Sequence, residues 1–275
     1  MRGRQSGVRR TLATVRIFAL RDLRIAFTYR LSFVLGLASA FFSILTFFFI
    51  TRVVGHDSAV GSPGEYFRFM VVGIAATNIL RAAVVAAAGN ARSDQVQGTL
   101  EILATQPISP IALALGWSAL PVAEAVIEGF LMLAIAVPLG FSAAGADWAS
   151  VLLVLGAASA LFLAVGFIGA ALVLAIQQGA GVMGMVVGVM ALTGGTLFPT
   201  SVLPASLRPL TTISPLTYAL RAMRGAMLDG KGPLVLLGGD LGVMLIYAAA
   251  ALAVAVIALR SSLHFARLRG TLSRF

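Results

Sequence analysis

Arg92-Ser93-Asp94-Gln95-Val96-Gln97-Gly98-Thr99-Leu100-Glu101-Ile102-Leu103-Ala104-Thr105-Gln106-Pro107-Ile108-Ser109-Pro110 is a polar, helix-capable stretch between two long apolar runs, and its reading decides the fold. Around it lies a chain of 275 residues that is 59% hydrophobic and 11% charged, with a mean hydropathy of +0.99. Several charge-poor runs reach the roughly 20 residues needed to cross about 30 Å of hydrocarbon. The chain therefore reads as an all-α integral membrane protein, and the quoted stretch as one of the few places built to be touched from water.

Charge and composition narrow the chemistry. The net charge of +10 would suggest nucleic acid in a soluble domain. Here the arginines gather in the two tails, where anionic headgroups and the positive-inside rule account for them, and no nucleic-acid partner is expected. With no Cys and only His56 and His264, disulfides and Cys/His metal sites are excluded.

Residues 1–30 carry eight Arg and a single acidic residue, Asp22. On a helix, Leu12, Val15, Ala19, Leu23 and Ala26 would form one stripe and Arg10, Arg21 and Arg24 the opposite face. That pattern predicts a helix lying on the membrane surface. No small-residue cleavage site follows it, so it does not read as a signal peptide.

Six spans follow, at about residues 31–51, 69–90, 111–140, 148–176, 182–198 and 234–259, making 31–259 one membrane domain. The fourth and fifth spans are separated at Gln177-Gln178-Gly179, inside a stretch from Trp148 to Leu207 without one charged residue. An even count puts both termini on one side. Both are Arg-rich, the tail 260–275 carrying Arg260, Arg267, Arg269 and Arg274, and the charge rule places them in the cytoplasm. The loop with Arg208, Arg221, Arg224 and Lys231 then falls outside, an exception that softens if those residues fold back into the protein.

In this orientation residues 91–110 face the cytoplasm. Val96, Leu100 and Leu103 are expected to share one helical face, with Glu101 directed at solvent or a partner, and Pro107 and Pro110 ending the helix. A short rod held across the membrane plane would pass movement from a soluble motor to the spans on either side.

Gly98-Thr99-Leu100-Glu101, with Leu103, Pro107 and Ser109, resembles the cytoplasmic segment of type-2 ABC transporter (ABC-2) permeases. A second resemblance runs from Phe198-Pro199 through Leu203-Pro204 and Leu207 to Pro215-Leu216-Thr217-Tyr218, Arg221 and Arg224-Gly225, and is similar to that family's broken segment between the fifth and sixth spans. The resemblance implies that Arg92, Asp94, Gln95, Gly98, Thr99, Leu100, Glu101, Leu103 and Pro107 form a coupling helix on an ATPase subunit. It implies a permease with no catalytic site or cofactor of its own, beside two ATPase copies that hold ATP and Mg2+. A second permease, itself or a relative, and a bacterial plasma membrane complete the picture. The acidic residues that commonly precede the motif appear here as Ser93, Asp94, Gln95 and Gln97, so fewer charges would meet the partner.

Pro199, Pro204, Pro209 and Pro215 break the segment before the last span. Non-helical backbone at membrane depth must be buried or line a watery cavity, so short re-entrant helices are expected, gated by Pro199, Pro204, Pro215, Tyr218, Arg221 and Arg224. An ordinary extracellular loop is the alternative. Charges inside spans cost at least about 2.5 kcal/mol each at the bilayer centre. Arg81 and Glu128 each lie about 12 residues from the outer end of their spans, which at about 1.5 Å per residue puts both roughly 18 Å deep and suggests a pair. Glu124 lies one turn from Glu128. The three either line a transport path or lock two spans together.

Two near-motifs point elsewhere. Gly225-Ala226-Met227-Leu228-Asp229-Gly230-Lys231-Gly232 approaches a phosphate-binding loop but lacks its Ser or Thr. Gly116-Trp117-Ser118 resembles the nucleophile motif of rhomboid proteases, yet no span carries the His that would activate the serine. The Phe-rich first span suits export of a lipid, glycolipid or drug-like natural product, with polysaccharide (O-antigen type) export the alternative within the family, and a protease or a channel outside it.

Overall fold

The computed structural model describes residues 30–54, 61–106, 108–176 and 179–269. The surface-helix expectation for residues 1–29, the Gln177-Gln178 turn and Pro107 lie outside them. In chain order the described helices are α1 (Arg30–Val54), α2 (Pro63–Val96), α3 (Thr99–Thr105), α4 (Pro110–Ala136), α5 (Trp148–Ile176), α6 (Gly179–Gly194), α7 (Arg208–Ile213), α8 (Pro215–Met227), α9 (Pro233–Leu237) and α10 (Asp240–Arg269). Four of these, α2, α4, α5 and α10, are long and apolar enough to cross a membrane. Shorter apolar stretches, Ala38–Val53 and Gly181–Gly194, lie in α1 and α6.

The sequence explains the ends. Ser62 and Glu65 form a reciprocal capping box before α2, Ser62 Oγ accepting from the Glu65 amide while Glu65 Oε2 accepts from the Ser62 amide at 2.8 Å. Ser109 Oγ accepts from the Ala112 amide, and Pro110 follows at the first helical position of α4, where its missing N–H costs nothing.

Packing centres on α2, which lies between α4 and α5, while α5 packs in turn on α10. In lipid no hydrophobic drive holds helices together, so close backbone approach has to supply the attraction. Alanines 75, 76, 83, 87, 88 and 91 line the buried side of α2. At Gly166 of α5 an added Cβ would collide with the Ala83 carbonyl oxygen, so the two backbones touch there. A larger core joins Phe67, Val71 and Leu80 to Phe162, Leu216, Leu220 and Met244. A second joins Ala87, Ala91 and Leu100 to Leu113, Trp117, Phe167, Leu174 and Leu259.

Three boundaries differ from expectation. The last long helix starts at Asp240 rather than near 234, because Gly238 and Gly239 separate it from the one-turn helix α9, and it continues past 259 to Arg269. α6 stops at Gly194, where Gly195 takes a φ of 77, so its 16 residues span only about 24 Å. α2 runs on through Val96, and only Gly98, with a φ of 70, breaks it from α3.

Gly166→Ala is expected to cost about 1–3 kcal/mol through overpacking, read as a lower Tm of the purified chain in detergent. Gly184→Ala, whose Cβ would meet nothing within 4 Å, is the control expected to leave Tm unchanged or slightly raised. Equal Tm values for the two variants would mean α2 and α5 are not in backbone contact.

Candidate functional site

At the corner of α2, α3 and α4 the left-handed Gly98 turns the chain, and α3 folds back so that Leu100 is fully buried against Ala87, Ala91, Trp117 and Leu259. Asp94, in the last turn of α2, is buried as well. Its Oδ2 accepts from the Trp117 indole N–H at 2.6 Å, and its Oδ1 from the Thr99 hydroxyl at 3.1 Å. The same hydroxyl lies 3.1 Å from the Asp94 backbone carbonyl. A carboxylate accepting from an indole and a hydroxyl forms the stronger, charge-assisted kind of hydrogen bond.

The corner also carries a second tie. Pro121 has no N–H, so the Trp117 carbonyl four residues earlier loses its helical donor. Asn90 of α2 supplies the replacement, its Nδ2 donating to that carbonyl at 2.6 Å.

Burial redistributes the residues expected to form one docking face. Asp94, Gln95 and Leu100 point inward, Leu103 is half-buried, and Gln95 accepts from Arg92 at 3.2 Å. Gly98 and Thr99 form the turn. Val96 does not share a face with Leu100 and Leu103: it belongs to α2, on the far side of the Gly98 break, and is exposed. What remains outward is Ser93, Val96, Gln97, Gln106 and Ile102, the last 65% exposed. The Glu101 side chain and Pro107 lie outside the described residues. Ile102 and Asn90 carry no expectation from sequence, and Trp117 enters there only within the protease-like near-motif. A proline four residues after Trp117, and an amide in an apolar span, are the signals that could have found them.

The broken segment is organised around Arg224 on α8. Its guanidinium lies over the Phe69 ring, 3.4 Å from ring centre, and donates to the Phe69 carbonyl at 3.2 Å and the Thr196 carbonyl at 3.0 Å. Thr196 Oγ1 also meets Thr77 Oγ1 at 2.9 Å. Gly73 of α2 leaves room for this arrangement, since a Cβ there would strike the Thr196 carbonyl. The carbonyl end left by the early stop of α6 is thus capped by an arginine from α8. Pro199 precedes the turn Thr200–Val202, Pro204 is exposed at a tight turn, and Pro215 opens α8.

The other cations of this region have local partners. Arg221 meets Asp240 at 2.6 Å and lies over Tyr218, whose hydroxyl donates to the Thr212 carbonyl. Lys231 pairs with Asp229, and Arg208 donates to the Leu203 and Ser201 carbonyls. The positive loop on the expected outer side is therefore largely self-satisfied.

The expected Arg81–Glu128 pair does not form. Ile79 lies beside Gly129 of α4, and two further residues at about 100° each carry Arg81 round to the exposed side of α2. Glu128 is half-buried and faces α1, where a Cβ on Gly36 would lie 3.2 Å from its Oε1. Glu124 is on an exposed face of α4. The near-motifs resolve too. Residues up to Met227 are helical and Gly225 accepts from the Lys231 amide, while Ser118 is fully buried with its hydroxyl donating to the Ala114 carbonyl. Neither a phosphate loop nor an available nucleophile results.

Among known proteins, a family model described as ABC-2 type transporter matches residues 16–228. No curated protein matches the chain.

Replacing Arg224 by Met is expected to leave the Thr196 carbonyl without its donor, at about 1–3 kcal/mol, and to remove the added bond on the Phe69 carbonyl, with Lys restoring only part because it lacks the planar fork. Thermal unfolding in lipid nanodiscs checks the order wild type, then Lys, then Met; equal Tm values would show that the arginine caps nothing.

Proposed function

The chain belongs to the ABC-2 type transporter family, and from that membership and the α2–α3–α4 corner we propose that it is the permease of an ATP-driven exporter whose ATPase grips α3. A membrane permease of an ABC transporter supplies the path while a separate ABC ATPase hydrolyses ATP, so no catalytic site belongs to this chain. One observation carries the coupling role: α3 opens on Gly98-Thr99-Leu100-Glu101, is rooted by a fully buried Leu100, and leaves Ile102 exposed. The partner surface this fits is an apolar cleft, because the outward residues among those described, Ser93, Val96, Gln97, Ile102 and Gln106, are uncharged.

Six crossings with both termini in the cytoplasm of a bacterial plasma membrane follow if α1 and α6 join the four long helices. The 16 residues of α6 are short for about 30 Å of hydrocarbon. The break after Gly194, capped by Arg224 and covered by α8, supports a re-entrant segment that completes the outer part of that crossing. α8 has nine of its 13 residues buried, which an ordinary surface loop does not require.

The substrate class we propose is hydrophobic or amphipathic, a lipid, glycolipid or drug-like natural product. A small apolar cleft of about 40 Å³ opens between α2, α4, α5 and α8, with Ala75, Ile79, Gly129, Phe130, Leu133 and Met227 among its walls. Phe41, Phe42 and Phe49 face outward from α1. Arg81 on α2 and the Glu124 and Glu128 stripe of α4 are then the charged groups a headgroup would pass, and a polysaccharide is the competing cargo. A second permease copy would cover the open side of α6, where Gly184 and Gly188 meet nothing within 4 Å.

Two measurements test this reading. Co-expressed with the ABC ATPase of a neighbouring gene, the permease is expected to retain it through purification, and Ile102→Asp to reduce retention about tenfold, the scale of losing one buried apolar side chain; undiminished retention by Ile102→Asp removes α3 as the docking element. The natural chain has no Cys, so single cysteines at 102 and 202 report topology in intact cells. A membrane-impermeant maleimide should label position 202 at once and position 102 only after permeabilisation, and the reverse order overturns the orientation.

A further inference from the structure

Asp94, Asn90 and Trp117 are polar or bulky groups that the docking of an ATPase does not use, since all three point into the bundle. They nevertheless meet at one place. The Trp117 side chain is tied to Asp94 through its indole N–H, and the Trp117 backbone is tied to Asn90 through the carbonyl that Pro121 leaves without a donor. Thr99, the first residue of α3, closes the same carboxylate from the other side. Three helices are therefore hydrogen-bonded through one buried carboxylate and one tryptophan, with the apolar contacts of Leu100 and Leu113 around them.

Position along α4 gives this knot a direction. Trp117 lies on the side of Pro121 nearest α3, and the apolar cleft walls Val126, Gly129, Phe130 and Leu133 lie on the other side. A helix interrupted at a proline lacks one intrahelical bond and bends there more easily than elsewhere. A displaced α3 would swing as a free flap about Gly98 if nothing linked it to α4. The knot removes that freedom.

We propose that Asp94, Asn90 and Trp117 form a clamp that makes α3, the end of α2 and the first arm of α4 move as one body, with Pro121 as the point about which α4 bends and the cleft beyond it changes shape. The three are positioning residues: they touch neither ATPase nor cargo, and they convert a push on α3 into a change in the path. Only the ATP-driven arm of the test rests on the exporter reading.

The first arm uses the full-length chain alone in lipid nanodiscs. Trp117 and Trp148 are the two tryptophans of the sequence, so their indole N–H signals are resolvable by NMR. Exchange with solvent at Trp117 is expected to be at least about tenfold slower than at the half-exposed Trp148, the scale of one hydrogen bond made by a charged group. Asp94→Ala abolishes the difference, and Asp94→Asn, which keeps an acceptor oxygen and guards against a simple folding failure, retains most of it. Trp117 exchange as fast as that of Trp148 in the wild type overturns the clamp.

The second arm uses the complex with its ATPase, carrying spin labels at Q106C, at the end of α3, and at I127C on the far arm of α4. Wild type is expected to change this distance between ADP and trapped ATP. W117F, which keeps the ring and loses the donor, is expected to keep its ATPase bound and lose most of the distance change. An undiminished change in W117F means the clamp transmits nothing and overturns the inference. A wild-type chain that retains no ATPase sinks the exporter reading instead, and the exchange arm still decides the clamp.

Discussion

A backbone carbonyl in hydrocarbon has no water to accept from, so each interruption of a helix in this chain needs a donor brought from another helix. That constraint organises both ends of the molecule. Pro121 strips the Trp117 carbonyl of its partner, and Asn90 of α2 replaces it. The early stop of α6 leaves the Thr196 carbonyl open, and Arg224 of α8 fills it while also holding Phe69 of α2. α2 takes part in both repairs, which is why it lies at the centre of the packing.

The two repairs differ in kind. At the α3 corner the donors to Asp94 are neutral, and this buried carboxyl is an acceptor enclosed by an indole and a hydroxyl. At the other end the donor is a cation with an aromatic ring beneath it, a stacking that suits a guanidinium better than an ammonium. Neither uses a salt bridge. The ion pairs found among the described residues, Arg221–Asp240 and Lys231–Asp229, are solvent-exposed and of the kind that contributes about 0–1 kcal/mol. What holds the elements in register is backbone approach at Gly73 and Gly166, where any side chain would force the helices apart.

This division fits an ABC permease. The corner that presents Ile102 is tied together by hydrogen bonds among Asp94, Thr99, Trp117 and Asn90, as the proposed transmission of a push would require. The cleft between α2, α4, α5 and α8 has an apolar lining, and the hydrogen bonds between its walls are few, a weak one from Asn78 to the Met132 sulfur and those of Arg224 to the Phe69 carbonyl.

Much of this architecture was legible from residue order. The apolar runs marked the long helices, Gly98 and the flanking prolines marked a short helix between two of them, and the proline series marked a break before the last span. Helix ends followed from local chemistry, as at Ser62 and Ser109. The misplacements share one cause. Asp94 was expected among the charges that meet a partner, Val96 on one face with Leu100, and Arg81 opposite Glu128, because a helix that is apolar all round gives no sign of which side meets protein and which meets lipid. Amphipathic reasoning works where water lies on one side, and most of this chain has none. Residue order by itself determined where the chain is helical and where it must break. Only the tertiary structure decided which way each polar side chain turns, because that depends on which neighbouring helix carries the carbonyl or indole in need of a partner.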